Sequence, residues 1–291
     1  MRLSVETSAV RDRVGDLRAL ELIKDAGFDC VDFSYYWTTP GAPVIGEEYV
    51  AYAHTVRAKL DELGLVCNQA HAPFTFKYGG AFDMENPDYC SIVRAVESAS
   101  ILGAAQIIVH SIGIPETDRK TVTFEDYNYA FYKSFEPYCE KFGIRVAVEN
   151  LFSRDKKRGG FRPRPATPEQ LNDFVRLLDS PWFVICVDVG HAALGGYEPE
   201  DFIAGMDGAL LQAVHIQDGD YLDDRHTLPF LGQFRWAEIM RSLGEVGYEG
   251  DLTFEIFKYL KGVPKELLSD ALAFAQRTGR HLIGMFENSE T

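Results

Sequence analysis

The chain predicts an α/β fold, a (β/α)8 TIM barrel, and three observations carry that expectation. Short β-branched or aromatic runs recur eight times, segments with helical spacing of apolar residues lie between them, and many of those segments end in a glycine turn. With 291 residues, 46% of them hydrophobic, the chain can bury a large core and has the length of one such barrel, so a single domain over 1–291 is expected. A doubly wound open sheet is the runner-up. It is disfavoured because no GxGxxG follows the first strand and eight units favour closure.

The strand candidates are Arg2–Glu6, Cys30–Phe33, Leu65–His71, Gln106–His110, Arg145–Glu149, Val184–Asp188, Leu211–His215 and Leu252–Glu255. Helical spacing covers Ala19–Ala26, Glu47–Leu63, Tyr89–Leu102, Phe124–Phe142, Thr167–Leu178, Arg235–Val246 and Pro264–Arg277, with a short sixth helix near Pro199–Met206. Ala26-Gly27, Leu63-Gly64, Leu102-Gly103, Phe142-Gly143 and Val246-Gly247 supply helix ends in which glycine takes the left-handed cap. No linker, low-complexity segment or repeat divides the chain.

Six consecutive strands run into a side chain that ligates metals: His71, His110, Glu149, Asp188, His215 and Glu255. Parallel barrel strands end on one face, the face that carries active sites, so these groups converge. A lone histidine there is usually structural and a lone acid often caps the next helix. Six together are another matter, because leaving them unpaired is costly and a metal relieves the cost. DVGH adds His191 three residues after Asp188, and Asp224-Arg225-His226 adds an Asp-x-His pair. His54 and His281 lie in helical segments and read as surface or packing residues. Cys186 points to the side of Asp188 one layer deeper and reads as barrel filling rather than a nucleophile.

The bulk numbers exclude several classes. Twenty-nine basic against 44 acidic residues leave a net charge of −15, which repels nucleic acid and anionic membrane surfaces and suits a small diffusible substrate. Five scattered cysteines form no CxxC pair, so neither a disulfide framework nor a zinc finger is expected, and a cytoplasmic location is. No signal-peptide core or membrane-length apolar run is present in the sequence.

In QAHAPF (His71), IIVHSIG (His110), VAVEN (Glu149), CVDVGHA (Asp188, His191), VHIQDGD (His215), DDRHTLPFLGQF (Asp224, His226) and LTFEIF (Glu255), the sequence resembles the xylose isomerase-like TIM-barrel superfamily. That superfamily includes sugar and sugar-phosphate isomerases and epimerases and the endonuclease IV type of repair nuclease. The resemblance spans most of the chain. It implies a metal site of Glu149, Asp188, His215 and Glu255, as in ketose epimerases, holding a divalent ion such as Mn, Zn, Mg or Co. His71, His110, His191, Asp224 and His226 match the positions that complete the three-zinc site of the nuclease. Where the family has PxGxG, this chain has Pro229-Phe-Leu-Gly232-Gln-Phe. A homo-oligomer is typical of the family and is expected.

The chemistry implied is isomerisation or epimerisation of a sugar or sugar phosphate, in which a carbon next to a carbonyl loses a proton and a metal stabilises the enediolate. Glu149 and Glu255, across the barrel mouth, serve as ligands and as acid and base. His191 binds a substrate oxygen or orients Asp188. Dehydration of an inosose-type ketone starts with the same step and is not separated from it, and a zinc phosphodiesterase is the alternative from another class. The loop SRDKKRGGFRPRP gathers Arg154, Lys156, Lys157, Arg158, Arg162 and Arg164. It reads as a solvated loop, as a lid hinged at Gly159-Gly160 that clamps a phosphate or carboxylate, or as a DNA contact. Arg158, Arg162 and Arg225 are expected to contact substrate. Phe152, Phe161, Tyr35, Tyr36 and Trp37 are candidates to wall the pocket.

Overall fold

The computed structural model describes residues 1–36, 38, 42–154, 161–165 and 167–289. Its strands β1 (Leu3–Glu6), β2 (Cys30–Ser34), β3 (Val66–His71), β4 (Gln106–Val109) and β5 (Arg145–Glu149) pair in parallel in chain order. A hairpin, β6 (Leu151–Arg154) and β7 (Phe161–Arg164), then stands outside the sheet. The series resumes with β8 (Phe183–Asp188), β9 (Leu211–His215) and β10 (Leu252–Phe254), which pairs back onto β1. Between β9 and β10 the ring closes through a parallel bridge, Ile216 to Phe254, in which Ile216 N–H donates to the Thr253 carbonyl at 2.8 Å and Glu255 N–H to the Ile216 carbonyl at 3.0 Å. The eight parallel strands form the expected barrel.

The connecting helices are α1 (Ser8–Val14), α2 (Asp16–Asp25), α3 (Tyr49–Leu63), α4 (Pro87–Leu102), α5 (Phe124–Lys133), α6 (Glu136–Phe142), α7 (Pro168–Leu177), α8 (Val189–Leu194), α9 (Pro199–Ala204), α10 (Trp236–Glu245), α11 (Phe257–Gly262) and α12 (Leu268–Ser289). Local chemistry sets their ends. Asn86 caps α4 by accepting from Asp88 N–H at 3.0 Å, with Pro87 in the first turn, where its missing N–H costs nothing. Thr123 and Thr167 cap α5 and α7 in the same way. The five glycines singled out in the sequence, Gly27, Gly64, Gly103, Gly143 and Gly247, all have positive φ.

Several elements differ from the sequence expectation. The single helix over Phe124–Phe142 is broken into α5 and α6, because Pro137 cannot donate to Lys133 and its ring crowds that carbonyl. An extra helix, α1, precedes the first one expected, and α12 runs past Arg277 to Ser289. The β6–β7 hairpin occupies part of the basic loop.

Strand parity decides what faces the barrel axis. Ile108, Ala147, Val184, Cys186 and Ala213 form a separate buried apolar cluster; four of them precede a strand-end ligand by two residues, and Val184 precedes Asp188 by four. Cys186 is therefore barrel filling, with burial pushing its thiol up to about 12. The larger core lies between the strands and the surrounding helices.

Candidate metal centre

The ligand atoms of Glu149, Asp188, His215 and Glu255 lie within 4.8 Å of one another and all four residues are buried. Two flanking groups meet the same distance: His71, His110 and Glu149 on one side, and His191, Asp224 and His226 on the other. All nine strand-end and loop candidates are thus brought together, and Glu149 belongs to two groups. His54 and His281 are exposed on their helices, as expected.

The hydrogen bonds behind the histidines show what the inward-facing atoms are. His71 Nδ1 sits 2.9 Å from the Ala72 carbonyl, His191 Nδ1 3.0 Å from the Asn150 carbonyl, and His226 Nδ1 2.9 Å from the Glu255 carbonyl. Each pairing requires Nδ1–H to donate, so each neutral ring presents a bare Nε2. His215 is reversed: its Nε2–H donates to Asp32 Oδ2 at 3.0 Å, which turns Nδ1 toward Glu149 Oε1 at 3.2 Å and Glu255 Oε2 at 3.4 Å. Four imidazoles with lone pairs aimed at carboxylates repel unless a proton or a cation lies between them. Glu149 Oε2 lies 2.9 Å from His110 Nε2 yet is buried without a hydrogen-bond partner. His71 Nε2 and His110 Nε2 approach to 3.0 Å, nitrogen to nitrogen. This donor set, mixed imidazole and carboxylate with orphaned inward atoms, fits divalent ions.

Charge is divided unevenly across the centre. Burial opposes ionisation of Glu149, but His110, His191 and His215 hold it well below the usual carboxylate range. Burial, reinforced by Asp188 and Glu149, pushes Glu255 well above that range. Against its own burial, His191 is raised to about 10 by Asp188, Glu149 and Asp224, while burial takes His110 down to about 4 despite Glu149.

Several residues outside the expected set hold the centre in place. Asn150 brackets Asp188, accepting from its N–H at 2.8 Å and donating to its carbonyl at 2.9 Å. Gln217 donates to both Asp188 oxygens, at 3.1 and 3.0 Å, and accepts from His226 N–H at 2.7 Å. Asp218 gathers the β9–α10 loop by accepting from Gly219, Phe230 and Phe234 N–H and from Trp236 Nε1. Gly232, the glycine kept from the altered loop motif, packs against it, since a Cβ there would stand 2.2 Å from Asp218 Oδ1. Asp32, which orients His215 and also lies outside the expected set, had a visible signal, an acid near the end of the second strand. Gln217 and Asp218 lie beyond a strand, where no periodicity marks them.

Above the ligands lies a cavity of about 420 Å³. Aromatic rings cover the imidazoles: Phe74 stacks on His110 at 5.1 Å, Tyr36 meets His71 edge-on at 4.9 Å, Phe152 meets His191 edge-on at 5.0 Å, and Phe257 lies 4.2 Å from His226. Phe152 and Tyr36 wall the cavity, whereas Tyr35 is in the core with its hydroxyl on Ser98. Arg225 does not contribute to the cavity wall. It is exposed and paired with Asp220, because the turn that buries His226 sends its neighbour outward. Arg158, Lys156, Lys157, Gly159-Gly160 and Trp37 lie outside the described residues, and of Arg162 and Phe161 only the backbone, in β7, is described. Arg164 lines the cavity.

Comparison with known proteins agrees with this architecture. The protein MJ1311 of Methanocaldococcus jannaschii is 29% identical over 182 residues, 61% of this chain, and the chain spans 60% of that relative's length. A D-tagatose 3-epimerase-like protein superposes over all of both chains with a TM-score of 0.75 at 20% identity. A D-psicose 3-epimerase crystallised with D-fructose gives 0.72 at 14% identity, covering 98% of this chain and 100% of its own. At those identities the superpositions speak for the fold. The sequence profile of the xylose isomerase-like TIM barrel matches residues 20–278, and the chain belongs to that family.

Proposed function

We propose that the protein is a divalent-metal-dependent sugar or sugar-phosphate isomerase or epimerase. The observation that carries this reading is geometric: two buried glutamates, Glu149 and Glu255, from opposite sides of the barrel share one ligand group with Asp188 and His215. Two carboxyl groups on opposite sides of a bound substrate can remove and return a proton. A bound divalent ion would be held by Glu149, Asp188, His215 and Glu255, and would supply Lewis-acid polarisation of a substrate carbonyl.

Glu149 takes the proton from the carbon beside the carbonyl, and Glu255 delivers one to the other face or to the neighbouring carbon. His191, its Nδ1 fixed on the Asn150 carbonyl, aims Nε2 at the cavity and binds a substrate oxygen. The aromatic walls exclude water from the carbanionic stage. Sugar epimerases among the structural neighbours support the reading of a sugar-active enzyme.

The test is deuterium exchange. Metal-loaded protein in D2O should label a ketose at the carbon next to its carbonyl, and Glu149→Gln and Glu255→Gln should each abolish labelling with the fold intact. Labelling that persists in either variant removes that residue from the proton transfer.

One observation favours a second reading, a phosphodiesterase with several metals: the ligand groups of His71, His110, Glu149 and of His191, Asp224, His226 are also complete. Elemental analysis of protein purified without chelator separates the two. About one divalent ion per chain supports the sugar enzyme, whereas two or three zinc ions move phosphate-ester hydrolysis to the front. The net charge of −15 weighs against a duplex substrate.

A further inference from the structure

We propose that Arg164, with Ser111 and the backbone at Gly113, forms a recognition subsite for an anionic group of the substrate, a phosphate monoester or a carboxylate, on the cavity wall beside the metal ligands. The epimerase reading supplies only the expectation that a sugar carries this group.

Register places the arginine. Leu151 of β6 opposes Arg164 of β7, and Leu151 follows Glu149 by two residues, so the guanidinium is carried to the rim of the cavity that His191 and Glu255 also line. Most surface arginines of this acidic chain meet carboxylates: Arg2 with Asp251, Arg57 with Asp61, Arg176 with Asp207, Arg280 with Asp29. Among the described residues Arg164 meets none. Among the described residues its one hydrogen bond runs from Nη2 to the Phe152 carbonyl at 3.3 Å, and its buried Nε has no partner there. Burial and the positive charge of Arg119 lower its pKa, so the surroundings oppose the charge rather than balance it.

A half-buried guanidinium without a counter-charge is costly unless the counter-ion arrives with a ligand. Two neighbours are suited to that ligand. The Ser111 hydroxyl, on the same wall, is buried without a hydrogen-bond partner. Gly113 leaves room for the arginine head: a Cβ there would stand 2.2 Å from Arg164 Nη1. A planar fork of N–H donors lining the same cavity as an unpartnered hydroxyl matches an oxyanion and offers nothing to a neutral polyol that water does not.

The experiment is calorimetric titration of the metal-loaded protein with D-glucitol 6-phosphate, D-gluconate and uncharged D-glucitol, none of which can turn over by carbonyl chemistry. At least one anion should bind about tenfold or more tightly than D-glucitol, the margin of a charge-assisted pair. Arg164→Met should erase that margin while metal content and D-glucitol affinity hold. Gly113→Ala, which displaces the guanidinium without removing its charge, should narrow it. The anion that shows the margin identifies phosphate or carboxylate. An anion preference that is absent, or that both variants leave intact, overturns the proposal. Deuterium exchange on an uncharged ketose is read separately. A protein that exchanges none, yet keeps an Arg164-dependent margin, loses the epimerase reading and retains the subsite.

Discussion

Asp32 and His215 are joined by a hydrogen bond of 3.0 Å, Oδ2 to Nε2, between two side chains with no exposure to solvent. The bond fixes which imidazole nitrogen faces the ligand group. Gln69 donates to the same Asp32 oxygen at 2.9 Å, so the carboxylate is itself held in orientation. With Asp32 in place, His215 presents Nδ1 to Glu149 and Glu255; without it, the ring is free to turn or to take the other tautomer.

Weakening that bond should therefore reach the metal. Asp32→Asn keeps the volume but replaces an acceptor-only group, and divalent-ion affinity should fall about 10- to 100-fold, as for other groups that orient a ligating histidine. Chelator competition measures it. An unchanged affinity in a folded variant would show that His215 needs no orienting partner.

Gly190 in α8 bears on the other side of the centre. A Cβ at this position would lie 2.5 Å from Gln217 Cδ, and Gln217 links Asp188 to the backbone of His226. Gly190→Ala must displace that amide. The expected loss is about 1–3 kcal/mol of stability, the usual range for overpacking, together with weaker metal binding. Denaturant titration of both proteins is the check, and a neutral or stabilising result would mean that Gln217 has room to move.

The barrel and its nine convergent side chains are legible in the sequence because they depend on period and order: apolar runs end in ligands, and parity places them inward. Pro137 was also visible, yet its effect on the helix it interrupts was missed, since apolar spacing continues across the break. The β6–β7 hairpin was not legible, nor were the partners of Asn150, Gln217 and Asp32, although Asp32 is visible as an acid near a strand end. Their partners are set by three-dimensional contacts such as Asp32 with His215, 183 positions apart. Arg225 shows the converse, a residue next to a ligand in sequence whose side chain turns away.

Acid stability should show a contribution from Asp29, which tethers the start of β1. Burial raises its pKa, but Arg280, the Leu3 N–H at 2.8 Å and Arg2 outweigh this and hold it below the ordinary value. The sign follows: a carboxylate depressed in the folded state stabilises above its unfolded pKa, about 3.9, and that contribution fades as pH falls through the lower folded value. Asp29→Asn should therefore cost a little stability at pH 7, about 1 kcal/mol or less because the group is partly exposed, and the difference should vanish in strong acid. Unfolding curves for both proteins at pH 7, 4 and 2.5 test this. A difference that grows as the pH falls contradicts it.

Metal binding should release protons. Glu255 is held well above the carboxylate range by burial and by Asp188 and Glu149, and His215 is raised well above its usual value against its burial, with Glu255 and Asp32 among the groups that raise it. At neutral pH the metal-free centre thus stores protons on two of the groups a divalent ion needs bare. Binding must displace at least one of them, so apparent affinity should rise about tenfold or more per pH unit between pH 6 and 8. Calorimetry of Mn2+ or Zn2+ binding in buffers of different ionisation enthalpy counts the protons directly. A count of zero would place Glu255 and His215 in their ligating forms before the metal arrives, and the raised pKa of both groups would be refuted.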